Sequence, residues 1–133
     1  MTSMKTFNAL IDSYAWIEFF LGSAKGEIVK NYIDSGESST PLIVIAELSA
    51  KYAPLPLELW EERLGFIQQK TEILPMTLEI TSHAGRTRQQ MRKNRLKFGL
   101  ADAIIYETAK FNGLSVISGD PHFKGLPDVI FLE

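Results

Sequence analysis

Short apolar stretches recur along this chain, and between most of them lie two segments with helical spacing. The stretches are TFNALI (6–11), TPLIVI (40–45), EILPM (72–76), LSVIS (114–118) and DVIFLE (128–133). Runs this short, bounded by turn residues, suit buried strands. Parallel strands need long crossovers, usually helical, whereas antiparallel ones need only a tight turn. The order here is strand, helix, helix, three times over, and then two strands, with PHFKG (121–125) between them long enough for one helical turn. It predicts one domain over residues 1–133, an α/β sandwich of three layers, α/β/α, with a mostly parallel central sheet.

The helical segments carry their own punctuation. AWIEFFLG stops near Gly22, and KGEIVKNYIDSG spaces Ile28, Tyr32 and Ile33 and closes at Gly36. AELSAKY is halted by Pro54 and Pro56, and LELWEERLGFIQQ sets Leu57, Trp60, Leu64 and Ile67 along one side. TLEITSHAGRTRQQMRKN has Thr77 as a usable N-cap. In GLADAIIYETAKFNG, residues Ala101, Ile104, Ile105, Thr108 and Ala109 form a core-facing stripe ended by Gly113.

The residue inventory excludes several chemistries. There is no cysteine, so disulfides, thiolate metal sites and a Cys nucleophile are out. Two histidines, His83 and His122, leave little room for a zinc site or a His-based triad. No apolar run reaches membrane-spanning length, and Asp12 and Glu18 break the N-terminal apolar segment too early for a signal-peptide core. The expectation is a soluble, cytoplasmic protein.

Acids fall at one kind of place. Of five aspartates, Asp12 follows the first strand, Asp120 follows the LSVIS strand, and Asp102 lies in the first turn of its helix. Glu47 lies just after TPLIVI, in what reads as the first turn of the next helix. Ordinary capping suits Asp12 and Asp120: Asp is a favoured N-cap, acids in a first turn suit the helix dipole, and Pro121 after Asp120 is a good N-cap and N1 pair. It suits Glu47 less, since Val44 stands three residues before it and no capping box exists, and Asp102 has Gly99 at that position. In a parallel sheet, however, strand C-termini share one edge, and ligands of open α/β folds bind beyond it. Four carboxylates brought together there would repel one another unless protonated or bridged by a cation. All-oxygen ligation favours Mg2+ or Mn2+, and such sites hydrolyse or transfer phosphoryl groups.

The stretches ALIDSYAWIEFF, IVIAELSAKY, GLADAIIYETAKFNGLSVISGDPHF and DVIFLE together resemble the PIN-domain family, in particular the small single-domain ribonuclease toxins of the VapC type. The likeness runs over essentially the whole chain. It implies the PIN-like fold and a Mg2+- or Mn2+-dependent endoribonuclease acting by in-line hydrolysis of an RNA phosphodiester. By the same likeness Asp12, Glu47, Asp102 and Asp120 are the family's four acids, Ser118 supplies the hydroxyl of a Thr/Ser-x-Asp pattern, and Ser13 is a supporting or substrate-contacting residue. It further implies a cognate antitoxin whose C-terminal segment covers the acidic crevice, and a homodimer. Other family roles with the same fold are a nuclease of RNA processing outside toxin systems and a catalytically silent RNA-binding or scaffolding domain; the intact four-acid set argues against the silent one.

Between Arg86 and Lys97 the chain carries six of its 14 basic residues and no acid. A solvated helix face accounts for this as well as a phosphate-contact surface does; on the second reading Arg86, Arg92 and Arg95 are the nominees. His122 reads as a surface or packing histidine and His83 as structural. Trp16, Phe19, Phe20 and Trp60 read as core or oligomer contacts. A receiver-like module is disfavoured because EILPM ends in Met76 where a Lys would be needed later in the sheet, and a haloacid-dehalogenase-like phosphatase because Tyr14 stands where a second Asp would be required.

Overall fold

The computed structural model describes residues 8–133. Five parallel strands form one sheet in the order β3-β2-β1-β4-β5: β1 Ala9–Ile11, β2 Ser38–Pro41, β3 Glu72–Leu74, β4 Ser115–Ser118 and β5 Val129–Phe131. Six helices flank it: α1 Ser13–Leu21, α2 Ala24–Asp34, α3 Leu42–Tyr52, α4 Leu57–Lys70, α5 Leu78–Met91 and α6 Leu100–Phe111. The result is the expected α/β/α sandwich. A 3-10 turn, Pro121–Phe123, joins β4 to β5 at the position the sequence left room for one. The Thr6 and Phe7 part of the first expected strand lies outside the described residues. No helix among the described residues is long and apolar enough to cross a membrane.

Strands β1 and β4 occupy the middle of the sheet, and their Ala9, Leu10, Ile11, Val116 and Ile117 are fully buried. Helix ends follow local chemistry. Asp12 caps α1 and Gly22, at φ 71°, ends it; Ser23 caps α2 and Thr77 caps α5. Helix α6 is buried nearly all round, which is why its stripe extends beyond the expected residues to Ala103, Tyr106 and Glu107. Helix α4 behaves oppositely. Only Ile67 of its expected stripe is fully buried and Leu57 is exposed; its main packing is Phe66 against Phe19, Phe20 and Trp16. In α2 the inward residues are Gly26, Val29 and Ile33, whereas Ile28 is exposed.

One expected strand is displaced. Only Thr40 and Pro41 of TPLIVI are strand: β2 is Ser38–Pro41, and Leu42 to Ile45 open α3. Periodicity cannot separate a short buried strand from a buried helical turn, and Pro41 suits the junction because the helix start needs no N–H from it. Val44 and Leu48, four apart, face the core, while Leu42 is exposed. Two of the polar strand's hydroxyls, those of Ser38 and Thr40, have hydrogen-bond partners. Ser38 donates to the Tyr32 carbonyl at 2.7 Å. The Trp16 indole N–H donates to Thr40 Oγ1 at 3.1 Å; Thr40 Oγ1 lies 2.8 Å from Thr71 Oγ1, which donates to the Ile67 carbonyl at 2.9 Å. This relay ties α1, β2 and the end of α4 together. Thr40→Val keeps the shape but leaves a buried indole N–H without an acceptor, and should cost ~1–3 kcal/mol. Thermal unfolding checks it, with Thr40→Ser expected to stay close to the wild type; a valine variant as stable as the wild type would deny the relay a structural role.

Candidate metal centre

The C-terminal edge of the sheet gathers the acids from four elements. Asp12 follows β1 and caps α1, its Oδ1 accepting from the Ala15 N–H at 2.9 Å. It is 2% exposed. Asp120 follows β4 and caps the 3-10 turn, its Oδ1 accepting from the His122 N–H at 2.9 Å. Asp102 sits in the first turn of α6, where its Oδ2 accepts from the Gly99 N–H at 2.8 Å. Glycine at the cap cannot return a side-chain bond, so this is half of a capping box. Glu47 lies in the second turn of α3 rather than the first, a consequence of the helix starting at Leu42.

Two serines bind this cluster together. The Ser118 hydroxyl accepts from the Asp120 N–H at 2.9 Å and lies close enough to the Asp12 carboxylate to pull its pKa down, so it stands between the two acids. It is fully buried. Ser13, the first residue of α1, lies beside the Glu47 carboxylate and pulls its pKa down. Glu47 Oε1 is shut off from solvent and has no hydrogen-bond partner.

Electrostatics report the same convergence. Burial pushes the Asp12 carboxyl up from its ordinary 3.8 to about 7, against the pull of the Ser118 and Ala15 hydrogen bonds, and the charges of Asp120 and Glu47 push it further. Glu47 is also raised, first by burial and then by Asp102 and Asp120, with the Ser13 hydrogen bond opposing. These are the shifts of carboxylates kept from water, with other carboxylates adding to the effect. A hard divalent cation would remove the conflict, and an orphaned buried carboxylate oxygen is the kind of donor it takes. Asp102 and Asp120 have oxygens close enough together to share a cation, and Asp12 and Glu47 lie near enough to feel their charge.

His122, read from the sequence as a surface or packing residue, is not remote. Its Nδ1 is 2.8 Å from Asp102 Oδ2 and 3.5 Å from Asp120 Oδ1, and the ligand atoms of Asp102, Asp120 and His122 all lie within 4.8 Å of one another. The one local signal was Pro121, which starts the tight turn that brings His122 back over Asp120. The basic stretch divides differently from the expectation. Helix α5 ends at Met91, so Arg92 to Gly99 is a connection. Arg92 Nε donates to the Phe98 carbonyl at 2.7 Å, and Arg95 donates to the carbonyls of His122 at 3.1 Å and Lys124. Both guanidiniums therefore spend donors on the chain itself, whereas Arg86 is exposed.

A stability signature follows from Asp12. A carboxyl whose value is raised on folding favours the folded state most below its unfolded value of 3.8, and that contribution is lost as pH rises through about 7. Metal-free protein should therefore melt at lower temperature at pH 8 than at pH 5.5, and Mg2+ or Mn2+ should restore most of the loss. Thermal melts in EDTA and in added metal, with Asp12→Asn as the reference lacking the titration, measure it; a melting temperature with the same pH dependence in both proteins would contradict it.

Comparison with known proteins places this geometry. The family model described as PIN domain matches residues 9–129. No curated protein matches the chain. Among solved structures, a toxin–antitoxin complex from Klebsiella pneumoniae aligns at a TM-score of 0.74 with 23% identity, covering 94% of this chain and 98% of that one. VapBC2 from Rickettsia felis, bound to a DNA fragment from its promoter, aligns at 0.73 with 17% identity over 92% and 96%. FitAcB from Neisseria gonorrhoeae aligns at 0.68 with 25% identity over 94% and 96%.

Proposed function

Since the chain belongs to the PIN domain family, we propose that it is a Mg2+- or Mn2+-dependent endoribonuclease and the toxin of a cytoplasmic toxin–antitoxin pair. The observation that carries the catalytic half is the convergence of Asp12, Glu47, Asp102 and Asp120 at one sheet edge, with Glu47 Oε1 buried and unpartnered. When bound, a divalent cation supplies a Lewis acid for the phosphate and lowers the pKa of a coordinated water. The chain's own residues supply the rest. Asp12 is the fully buried donor and Glu47 offers its shielded Oε1, with Ser118 and Ser13 beside them. Asp102 and Asp120 are part-exposed and each has one oxygen engaged by the backbone, so they face the side from which an RNA strand would approach. With its value raised to about 7, the Asp12 carboxyl can hold a proton near neutral pH.

The toxin half is supported by what the similar structures are: a toxin–antitoxin complex, VapBC2 and FitAcB. On this reading a cognate antitoxin covers the acidic crevice, and two copies of the chain pair through their helices. The RNA phosphate backbone would be met by exposed cations such as Arg86 rather than by Arg92 or Arg95, whose guanidiniums hold the loop. Cleavage of RNA by the purified chain in Mn2+, and its disappearance in EDTA, tests the proposal.

A further inference from the structure

The turn that places Asp120 also carries a side chain to which the four-acid reading gives no role. His122 touches both part-exposed acids. Its backbone N–H donates to Asp120 Oδ1 at 2.9 Å, and its Nδ1 lies 2.8 Å from Asp102 Oδ2. That Oδ2 already accepts from the Gly99 N–H, so the imidazole nitrogen is the donor of this second bond. We propose that His122 is a positioning residue of the metal centre, fixing one oxygen of Asp102 and one of Asp120 so that the second oxygen of each is left for a shared divalent cation.

Three features support a positioning role over direct ligation. The Nδ1 atom that faces the acids is occupied by its bond to Asp102. Asp102 Oδ2, with two N–H donors, has little lone-pair capacity left, which assigns Oδ1 to a cation. The backbone of His122 is itself pinned: Arg95 Nε donates to its carbonyl at 3.1 Å, and the next residue, Phe123, is buried against Phe98. Asp102 and Asp120 come from separate elements, so a rigid residue bonded to both sets their separation, as hydrogen bonds to ligating carboxylates do in metal sites generally. The proposal rests on the metal-centre reading above.

Mn2+ titration of the purified full chain, followed calorimetrically, tests it with three variants whose folding is checked by thermal unfolding. His122→Asn keeps an N–H at the Nδ1 position, His122→Gln moves it to the Nε2 position, and His122→Ala removes it. Expected is a ten- to hundredfold loss of Mn2+ affinity in the alanine and glutamine variants and near wild-type affinity in the asparagine variant. Wild-type affinity in His122→Ala overturns the proposal, as does an asparagine variant as weak as alanine, which would point to ligation by the imidazole itself. Absence of saturable Mn2+ binding by the wild type overturns the metal-centre reading and this proposal with it.

Discussion

Asp12→Asn abolishes RNA cleavage and leaves the fold intact, or slightly more stable at pH 8. The two effects separate because the residue has two jobs. As N-cap of α1 it needs only an oxygen to accept from the Ala15 N–H, and asparagine supplies one equally well. As a buried carboxylate it is costly without a cation, because burial and two neighbouring acids hold its carboxyl up at about 7. The amide removes that cost and removes the charge a cation would need. Losing a principal donor of a metal centre forfeits several kcal/mol of transition-state stabilisation, and ~4 kcal/mol is about a thousandfold in rate. Thermal melts in EDTA and cleavage rates in Mn2+, on the same preparations, read both. A variant that cuts at the wild-type rate removes Asp12 from the centre; a variant that unfolds shows that its charge serves the fold.

Gly26→Ala should cost at least ~3 kcal/mol and lower the melting temperature by about 10 °C. An alanine is usually welcome inside a helix, worth ~1 kcal/mol over glycine. Here a Cβ would lie 2.1 Å from the Glu18 carbonyl oxygen, 2.7 Å from the Glu18 carbonyl carbon and 2.9 Å from Phe19 Cα. All three are backbone atoms of α1, so no side chain can swing away; α2 must part from α1. That shift would also strain the Ser23 cap, which bonds both the Gly26 N–H and Glu18. Gly65→Ala and Gly85→Ala are the controls. Both sit inside helices with nothing within 4 Å of the added atom, and each should stabilise by roughly 0.5–1 kcal/mol. Loss of stability at all three positions would show that the effect at Gly26 is not specific to the α1–α2 crossing.

The same glycine marks a limit of sequence reasoning, since nothing local distinguishes it from Gly65 or Gly85. What was legible had a local cause. β1, β4 and β5 are apolar runs with turn residues beside them, and Gly22, Thr77 and Gly113 stop or start helices by their own backbone chemistry. β2 was not legible, because SSTP is a strand only by virtue of partners elsewhere: Tyr32, Trp16 and Thr71 satisfy its hydroxyls. Misplacing it put Glu47 one turn too early on α3. The four acids stood out because carboxylates near strand ends share an edge in a parallel sheet. His122 did not, because its partner Asp102 lies on another element and only the fold brings the two together. Arg92 and Arg95 were nominees for phosphate contact on one of two even readings, and charge does not reveal that their donors are taken by the carbonyls of Phe98, His122 and Lys124.

The most direct measurement is cleavage of an end-labelled panel of tRNA, rRNA and mRNA fragments by the wild-type chain and by Asp12→Asn, each in Mn2+ and in EDTA. A metal-dependent endoribonuclease built on these acids gives discrete internal cuts in one condition only, wild type with Mn2+. Cuts that persist in EDTA or in the asparagine variant, or an intact panel under all four conditions, would contradict it.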